Sequence, residues 1–274
     1  MDPAINLRAT LECGQVFHWQ ERPDGAWEGL IGAEPAVVRE KDGQLEVIRG
    51  EADMVSRYFA LDHDLEEIYA GFPRDAVMLA ALDFCRGLRI IRQPTWECLA
   101  TFITSSMKQV AHIRQMSFAL RERFGRTVRG SAWRAYPEPA RIAAASEEDL
   151  RACGLGYRAK NLKSTAHLVA SGDADLAAWS SLDDPALREE LCTLPGVGRK
   201  VANCVMLFGY GRLGAFPVDT WISRIMRKNY WRGRGKPTPL ALEKRLARRF
   251  GPHAGYAQQY LFHHARVTAR RGRP

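Results

Sequence analysis

The sequence lacks the signatures of several large classes of protein. It has no apolar run near the roughly 20 residues that a membrane-spanning helix needs. Its first residues, Met1–Cys13, hold no apolar stretch of the kind found in a secretory signal. None of its six cysteines forms a Cys-x-x-Cys pair, which argues against a structural zinc site or an iron–sulfur cluster. We therefore expect an intracellular protein that binds neither a membrane nor a metal ion.

Positive charge is in excess and is unevenly distributed. The chain has 40 Lys and Arg against 31 Asp and Glu, a formal net charge of +9. Between Arg224 and Arg249 there are ten basic residues and one acidic residue, Glu243, and the segment from Arg266 to Pro274 adds four arginines. This pattern favours a polyanionic partner, although a solvated basic surface would explain it equally well.

The hydrophobic pattern predicts an α+β fold, with an N-terminal antiparallel β domain over residues 1–75 and an all-α domain over 76–274. Short apolar segments separated by turn signals indicate a mostly β first region. The predicted strands are Gln15–Gln20, Ala26–Ile31, Ala36–Arg39 and Gln44–Ile48. The predicted helices are Ala76–Gly87, Trp96–Gln109, Val110–Phe124, Glu147–Cys153, Arg158–Ser171, Asp184–Leu194, Arg199–Gly209, Thr220–Asn229, Leu240–Phe250 and His253–Thr268. Strands followed by helices are typical of the α+β class.

A glycine-rich hairpin at residues 195–198 joins two of these helices. Gly196 and Gly198 allow a tight turn with positive φ angles. They also leave backbone N–H groups uncovered at the start of a helix, where a phosphate is favoured. An ordinary turn between helices would need the same glycines.

Two ionisable residues follow the hairpin at informative places. Lys200 lies in the first turn of the next helix, where the helix dipole disfavours a positive charge and so favours the neutral, nucleophilic amine. Asp219 precedes another predicted helix, and it could serve as an N-cap or as a carboxylate that opposes a developing cation near Lys200.

Four longer motifs stand in order along the chain. They are CGQVFHW at residues 13–19, GLGYRA at 154–159, LPGVGRKVANC at 194–204 and GYAQQYLF at 255–262. With these motifs the chain resembles, over nearly its full length, the 8-oxoguanine DNA glycosylase/AP lyases of the helix-hairpin-helix superfamily. The resemblance implies an enzyme that flips a damaged base out of duplex DNA and excises it.

The resemblance also implies a role for individual residues in the chemistry. Lys200 would attack the sugar C1′ to give a Schiff base, and β-elimination would then nick the strand. Asp219 would stabilise the oxocarbenium character of the sugar and orient the lysine. This chemistry needs no metal ion and no cofactor.

For the base pocket, the resemblance implies four residues. The backbone carbonyl of Gly14 would accept a hydrogen bond from N7–H of 8-oxoguanine. Cys204 and Phe262 would contact the two faces of the base, and Gln258 its Watson–Crick edge. Cys204 and Phe262 could equally be plain core residues.

For the DNA around the lesion, Tyr157 resembles the aromatic wedge that fills the vacated space, and Arg158 the residue that recognises the unpaired cytosine. The partner implied is double-stranded DNA with 8-oxoguanine opposite cytosine, bound by a monomer, with Gly196 and Gly198 at the phosphates. The chain departs from the family at Met107, where an asparagine is common, and at His112, where a second cytosine-reading arginine is common.

Two alternatives remain open from the sequence. One is a helix-hairpin-helix glycosylase for another damaged base, such as an alkylated purine. The other is a non-catalytic helix-hairpin-helix module that only binds DNA. Lys200 and the set of Cys204, Gln258 and Phe262 argue against the first alternative, because alkylated-base members commonly work without a catalytic lysine. The presence of Lys200 together with Asp219 argues against the second.

Overall fold

The computed structural model describes residues 4–231, 235 and 237–271. Some of the basic residues noted above lie outside the described residues or have side chains that do: Arg232, Arg234, Lys236, Lys244, Arg270, Arg271 and Arg273. No helix within the described ranges is long and apolar enough to cross a membrane.

A four-stranded antiparallel meander forms the N-terminal sheet, as predicted. Its strands are β1 (Gln20–Glu21), β2 (Trp27–Ile31), β3 (Glu34–Lys41) and β4 (Gln44–Arg49), paired in the order 1-2-3-4. The β3–β4 hairpin turns through Asp42 and Gly43, whose φ angles are +53° and +75°. Two left-handed residues in a two-residue turn match the twist of the flanking strands.

The prediction of a strand over Gln15–Gln20 is wrong except at Gln20. The side chain of Gln15, rather than pairing with a neighbouring strand, anchors this segment to the backbone of other parts of the chain. Its amide nitrogen donates to the carbonyl oxygens of Thr10 (2.9 Å) and Arg89 (2.8 Å), and its amide oxygen accepts from the N–H of Ile91 (2.8 Å). The segment is therefore fixed by buried side-chain hydrogen bonds.

The prediction that residues 1–75 are mostly β is also wrong, because three short helices flank the sheet. They are α1 (Leu7–Glu12), α2 (Ala52–Tyr58) and α3 (Leu65–Ala70). Each begins at a side-chain cap, supplied by Asn6, Glu51 and Asp64. Helices of six or seven residues are too short to show a helical period. The α+β class itself is confirmed.

From residue 76 onward the chain is mostly helical. The helices are α4 (Ala76–Cys85), α5 (Thr95–Thr104), α6 (Val110–Phe124), α7 (Pro139–Ala144), α8 (Glu147–Leu150), α9 (Arg158–Ser171), α10 (Asp184–Thr193), α11 (Arg199–Phe208), α12 (Thr220–Asn229), α13 (Pro239–Phe250) and α14 (Ala254–Arg271). The predicted bounds of α6, α9 and α12 are confirmed, and α7 was not predicted. A π-helical turn, Arg151–Leu155, follows α8 in place of the longer helix expected there.

Helix α5 ends at Thr104 and not at the predicted Gln109. The hydroxyls of Thr104 and Ser105 donate to the carbonyl oxygens of Thr101 and Phe102, both at 2.7 Å. Such bonds compete with the helical ones. Two residues later Met107 has a φ angle of +59°, which stops the helix.

The end of the described chain is packed against its beginning. Helix α14 packs on α4, and the side chain of Gln259 donates to the carbonyl oxygen of Cys13 at 3.0 Å. Arg266 donates to the carbonyl oxygen of Glu12. These contacts hold the first turn after α1 beside α14. The predicted domain boundary between residues 75 and 76 stays a prediction.

Candidate active site

The hairpin at 195–198 connects α10 to α11 and is fixed by its surroundings. Gly196 has a φ angle of +83°, and a Cβ there would lie 2.8 Å from Cβ of Asn161. Both the backbone conformation and the lack of space therefore require glycine at this position. Gly198 has a φ angle of −97°, so the expectation of a second left-handed glycine is wrong. It is instead the N-cap of α11, and no described side chain caps it. The backbone N–H groups at this helix start remain available to an anion.

Lys200 lies in the first turn of α11 and contacts Phe102 of α5 and Ser105, the residue that follows this helix. Its Nζ is 3.5 Å from Oγ of Ser105 and 5.2 Å from the ring centroid of Phe102. The Phe102 ring is itself buried and stacked on Phe208. The sequence did not single out Ser105 or Phe102, because only the packing of α5 on α11 brings them to the lysine.

Cys204 and Asp219 lie in the same electrostatic neighbourhood as Lys200. Cys204 is one helical turn further along α11 and is buried. Burial raises the pKa of its thiol, and the positive charge of Lys200 opposes that shift. Burial likewise raises the pKa of Asp219, while the N–H of Ile222 and then the charge of Lys200 oppose the shift. The structure therefore brings these three side chains together.

Asp219 is the N-cap of α12, since its Oδ1 accepts from the N–H of Ile222 at 2.7 Å. The expected cap is confirmed, and the same carboxylate interacts with Lys200 through space. The two interpretations of Asp219 are compatible.

Gly14 and Phe262 lie against each other. A Cβ on Gly14 would be 3.4 Å from Cε1 of Phe262 and 3.3 Å from Cγ2 of Val110. The φ angle of Gly14 is +88°, which also favours glycine. The Phe262 ring is only partly buried. No described residue donates a hydrogen bond to the Gly14 carbonyl oxygen.

Gln258 lies one turn before Phe262 on α14 and is 4% exposed. Its amide oxygen is buried and accepts no hydrogen bond from the described part of the chain. An unsatisfied buried polar atom costs about 1–3 kcal/mol. An acceptor kept at that cost is an indication of a ligand site.

Arg158 is a buried side chain held by two backbone carbonyl oxygens and by the ring of Tyr157. Its Nε donates to the carbonyl oxygen of Ser106 at 2.8 Å, and another guanidinium nitrogen donates to that of Leu155 at 3.2 Å. Its Cζ lies 4.4 Å from the ring centroid of Tyr157. Arg158 is 5% exposed, whereas Tyr157 is 60% exposed and Met107, next to Ser106, is 90% exposed.

The segment from Ser105 to His112 links the groups just described. Ser105 contacts Lys200, Ser106 accepts from Arg158, and Val110 lies against Gly14. His112 is exposed in the first turn of α6, and no hydrogen bond, ion pair or ring contact among the described residues involves its side chain. Within the described ranges there is no cluster of three or more His, Cys, Asp or Glu that could hold a metal ion.

Comparison with known proteins identifies two family profiles along the chain. Residues 2–99 match the 8-oxoguanine DNA glycosylase N-terminal domain. Residues 100–252 match the HhH-GPD superfamily of base excision DNA repair proteins, where HhH denotes the helix-hairpin-helix. The second match includes both Lys200 and Asp219.

Whole-length relatives agree with these profiles. A probable N-glycosylase/DNA lyase of Methanothermobacter thermautotrophicus is 31% identical over 96% of this chain and 94% of its own length. The N-glycosylase/DNA lyase OGG1 of Arabidopsis thaliana is 32% identical over 94% of this chain and 76% of its own length. Among solved structures, the 8-oxoguanine glycosylase/lyase of Clostridium acetobutylicum, in complex with DNA containing cytosine opposite 8-oxoguanine, superposes with a TM-score of 0.90 at 31% identity, covering 97% of this chain and 93% of its own. The chain is therefore a member of the 8-oxoguanine DNA glycosylase/lyase family within the HhH-GPD superfamily.

Proposed function

We propose that this protein is a bifunctional DNA glycosylase/lyase that removes 8-oxoguanine from duplex DNA and then nicks the strand. The observation that carries the proposal is the proximity of Lys200 and Asp219 at the starts of two helices. A nucleophilic amine and a carboxylate at one site are what this two-step chemistry needs.

The reaction begins when the amine of Lys200 attacks C1′ of the flipped nucleotide and the bond from C1′ to N9 breaks. The purine leaves with the bonding electrons and takes up a proton, while the amine loses one. Opening of the sugar gives a protonated Schiff base. Loss of a proton from C2′ then expels the 3′ phosphate, which nicks the strand. Asp219 opposes the positive charge that develops on the sugar.

The base pocket distinguishes 8-oxoguanine from guanine through N7. The lesion carries a hydrogen on N7, which the Gly14 carbonyl oxygen accepts. Guanine has a lone pair there, which would face the carbonyl lone pairs. The free acceptor of Gln258 takes an N–H of the Watson–Crick edge. Cys204 and Phe262 contact the two faces of the base.

The remaining predicted residues contact the DNA around the lesion. Tyr157 fills the space that the base leaves, and Arg158 contacts the unpaired cytosine. The N–H groups near Gly196 and Gly198 bind phosphate, and the exposed His112 also contacts the DNA. We also propose that the protein acts as a monomer inside the cell, where its DNA substrate is found.

Borohydride trapping tests this function. A duplex with 8-oxoguanine opposite cytosine should give a covalent protein–DNA complex, because borohydride reduces the Schiff base to a stable amine. A matched duplex with guanine in place of the lesion is the control. Excision without any trapped complex would indicate a glycosylase without lyase activity. Excision of an alkylated purine but not of 8-oxoguanine would favour the first alternative, and no excision at all the second.

A further inference from the structure

The backbone on either side of Gly14 is held by two buried glutamines. Nε2 of Gln259, on α14, donates to the carbonyl oxygen of Cys13 at 3.0 Å. Nε2 of Gln93 donates to the carbonyl oxygen of Gln15 at 2.7 Å. The carbonyl oxygen of Gly14 lies between these two along the chain, and no donor among the described residues is bonded to it. The two neighbouring acceptors are therefore occupied by the protein, and the middle one is left for a ligand.

A glycine in this place needs such support. Its φ angle of +88° favours glycine, but a residue without a Cβ also leaves that conformation easily. The direction of its carbonyl depends on the planar peptide groups before and after it. The side chain of Gln15 anchors the later group through the three hydrogen bonds described above. The earlier group, shared with Cys13, is held by Gln259.

Helix α14 also carries the second group that we propose reads the base. Gln258, whose buried amide oxygen accepts no hydrogen bond from the described part of the chain, precedes Gln259 on this helix. Successive side chains on a helix point about 100° apart, so one glutamine serves the pocket while the next holds the Cys13 carbonyl. The spacing between the Gln258 oxygen and the Gly14 carbonyl is therefore set within one helix and one hydrogen bond.

We propose that Gln259 is a positioning residue for lesion recognition, whose hydrogen bond to Cys13 sets the direction of the Gly14 carbonyl. The inference rests on the proposed function, since it takes that carbonyl as the acceptor for N7–H. Without the Gln259 bond, the carbonyl would turn more freely. It would lose part of its hydrogen bond to 8-oxoguanine and part of the lone-pair repulsion that rejects guanine, so selectivity would fall from both sides.

Gln259→Met tests the inference, because methionine is about as long as glutamine and has no donor. Single-turnover excision of 8-oxoguanine opposite cytosine should slow about tenfold. Excision of guanine from the matched duplex should not fall. Nicking of an abasic site opposite cytosine should keep its wild-type rate, because that reaction uses Lys200 but presents no base to the pocket. General damage to the fold would instead slow all three reactions.

Tyr260→Phe is the matched control on the same helix. The buried hydroxyl of Tyr260 donates to the carbonyl oxygen of Leu88 at 2.8 Å, so this variant also removes a buried hydrogen bond from a side chain of α14 to the backbone. The bond that it removes lies outside residues 13–15. Both variants should lower the thermal unfolding midpoint by about 2–6 °C. Tyr260→Phe should nevertheless keep the wild-type excision rate.

Gln259→Glu separates the hydrogen bond from packing in a second way. Glutamate has nearly the shape of glutamine, but its carboxyl group donates to the Cys13 carbonyl only when it is protonated. The excision rate of this variant, divided by that of the wild type at the same pH, should therefore rise on acidification. The division removes effects that the two proteins share, such as protonation of Asp219. A packing defect would give a ratio independent of pH.

Three results would overturn the inference alone. They are an unchanged excision rate in Gln259→Met, an equal loss of excision and abasic-site nicking in that variant, and a pH-independent ratio for Gln259→Glu. A wild-type protein that excises 8-oxoguanine no faster than guanine would contradict the proposed function, and the inference with it.

Discussion

The two sides of the candidate site are built differently. On the excision side, Lys200, Cys204 and Gln258 are carried by helices α11 and α14, whose apolar residues belong to the main core. On the side that we propose faces the opposite base, called the opposite-base side, Met107 and Tyr157 project from short connections and are largely exposed. Only Arg158, beneath them, is buried.

This difference in construction determines how each side tolerates substitution. A substitution at a buried helical position disturbs the packing around it, whereas an exposed connection changes at little cost in stability. Met107 and His112 are both exposed. Packing therefore limits substitution at the helical positions of the excision side more than at the exposed residues of the other side.

The largest effect is expected for Lys200→Gln on the excision side. Without the amine, excision should fall about 1,000-fold or more and trapping should disappear. Binding to the lesion duplex should remain within a few-fold of wild type, because the amide replaces only the nucleophile. A trapped complex in this variant would assign the nucleophile to another residue.

Asp219→Asn should slow excision about 100-fold, because the carboxylate charge is lost where a cation develops. The thermal unfolding midpoint should change little, since asparagine is as good an N-cap as aspartate. Asp219→Ser is the matched control, for it also keeps the cap and removes the charge. Full activity in both variants would leave Asp219 as a cap alone.

The pH dependence of the excision rate should report the ionisation of the Asp219 carboxylate. Burial raises the pKa of Asp219 above the ordinary 3.8, so the side chain takes up a proton at a higher pH than a free aspartate. The single-turnover rate should therefore fall on acidification through a pKa above 3.8. Because the pKa is raised on folding, the ionised carboxylate lowers stability above that pKa, and acidification relieves this cost. A rate that is flat down to pH values near 3.8 would contradict the assignment.

The sequence predicted the parts of this molecule that depend on local pattern. The bounds of α9 and α12 and the cap at Asp219 follow from periodicity and from capping chemistry. The strand prediction failed over residues 15–19, because there the side chain of Gln15 forms hydrogen bonds to backbone groups some 75 residues away. Likewise nothing local indicates that Phe102 lies under Lys200 or that the Gln258 oxygen has no partner. Those features are properties of the packed helices.

Gln258→Leu should separate stability from function on the excision side. The leucine removes a buried acceptor that has no protein partner, so the free energy of unfolding should rise by about 1 kcal/mol. Excision of 8-oxoguanine should fall about tenfold, because the hydrogen bond to the base is lost. Denaturant unfolding and single-turnover excision measure the two effects. A parallel loss of stability and excision would show that the amide is structural.

The smallest effect is expected on the opposite-base side, for Met107→Asn. Met107 can make only van der Waals contact with the base opposite the lesion, and any base allows such contact. The wild-type protein should therefore discriminate only weakly among opposite bases at this position. Asparagine can hydrogen-bond to cytosine, and one such bond of about 1 kcal/mol should raise the preference for cytosine over adenine about fivefold. The substitution suits the backbone, since asparagine tolerates the left-handed conformation at φ +59° better than methionine. The measurement is the ratio of single-turnover excision rates opposite the two bases, with excision opposite cytosine as the reference. An unchanged ratio would place the selection on Arg158, whose guanidinium would then have to leave the Ser106 carbonyl to reach the base.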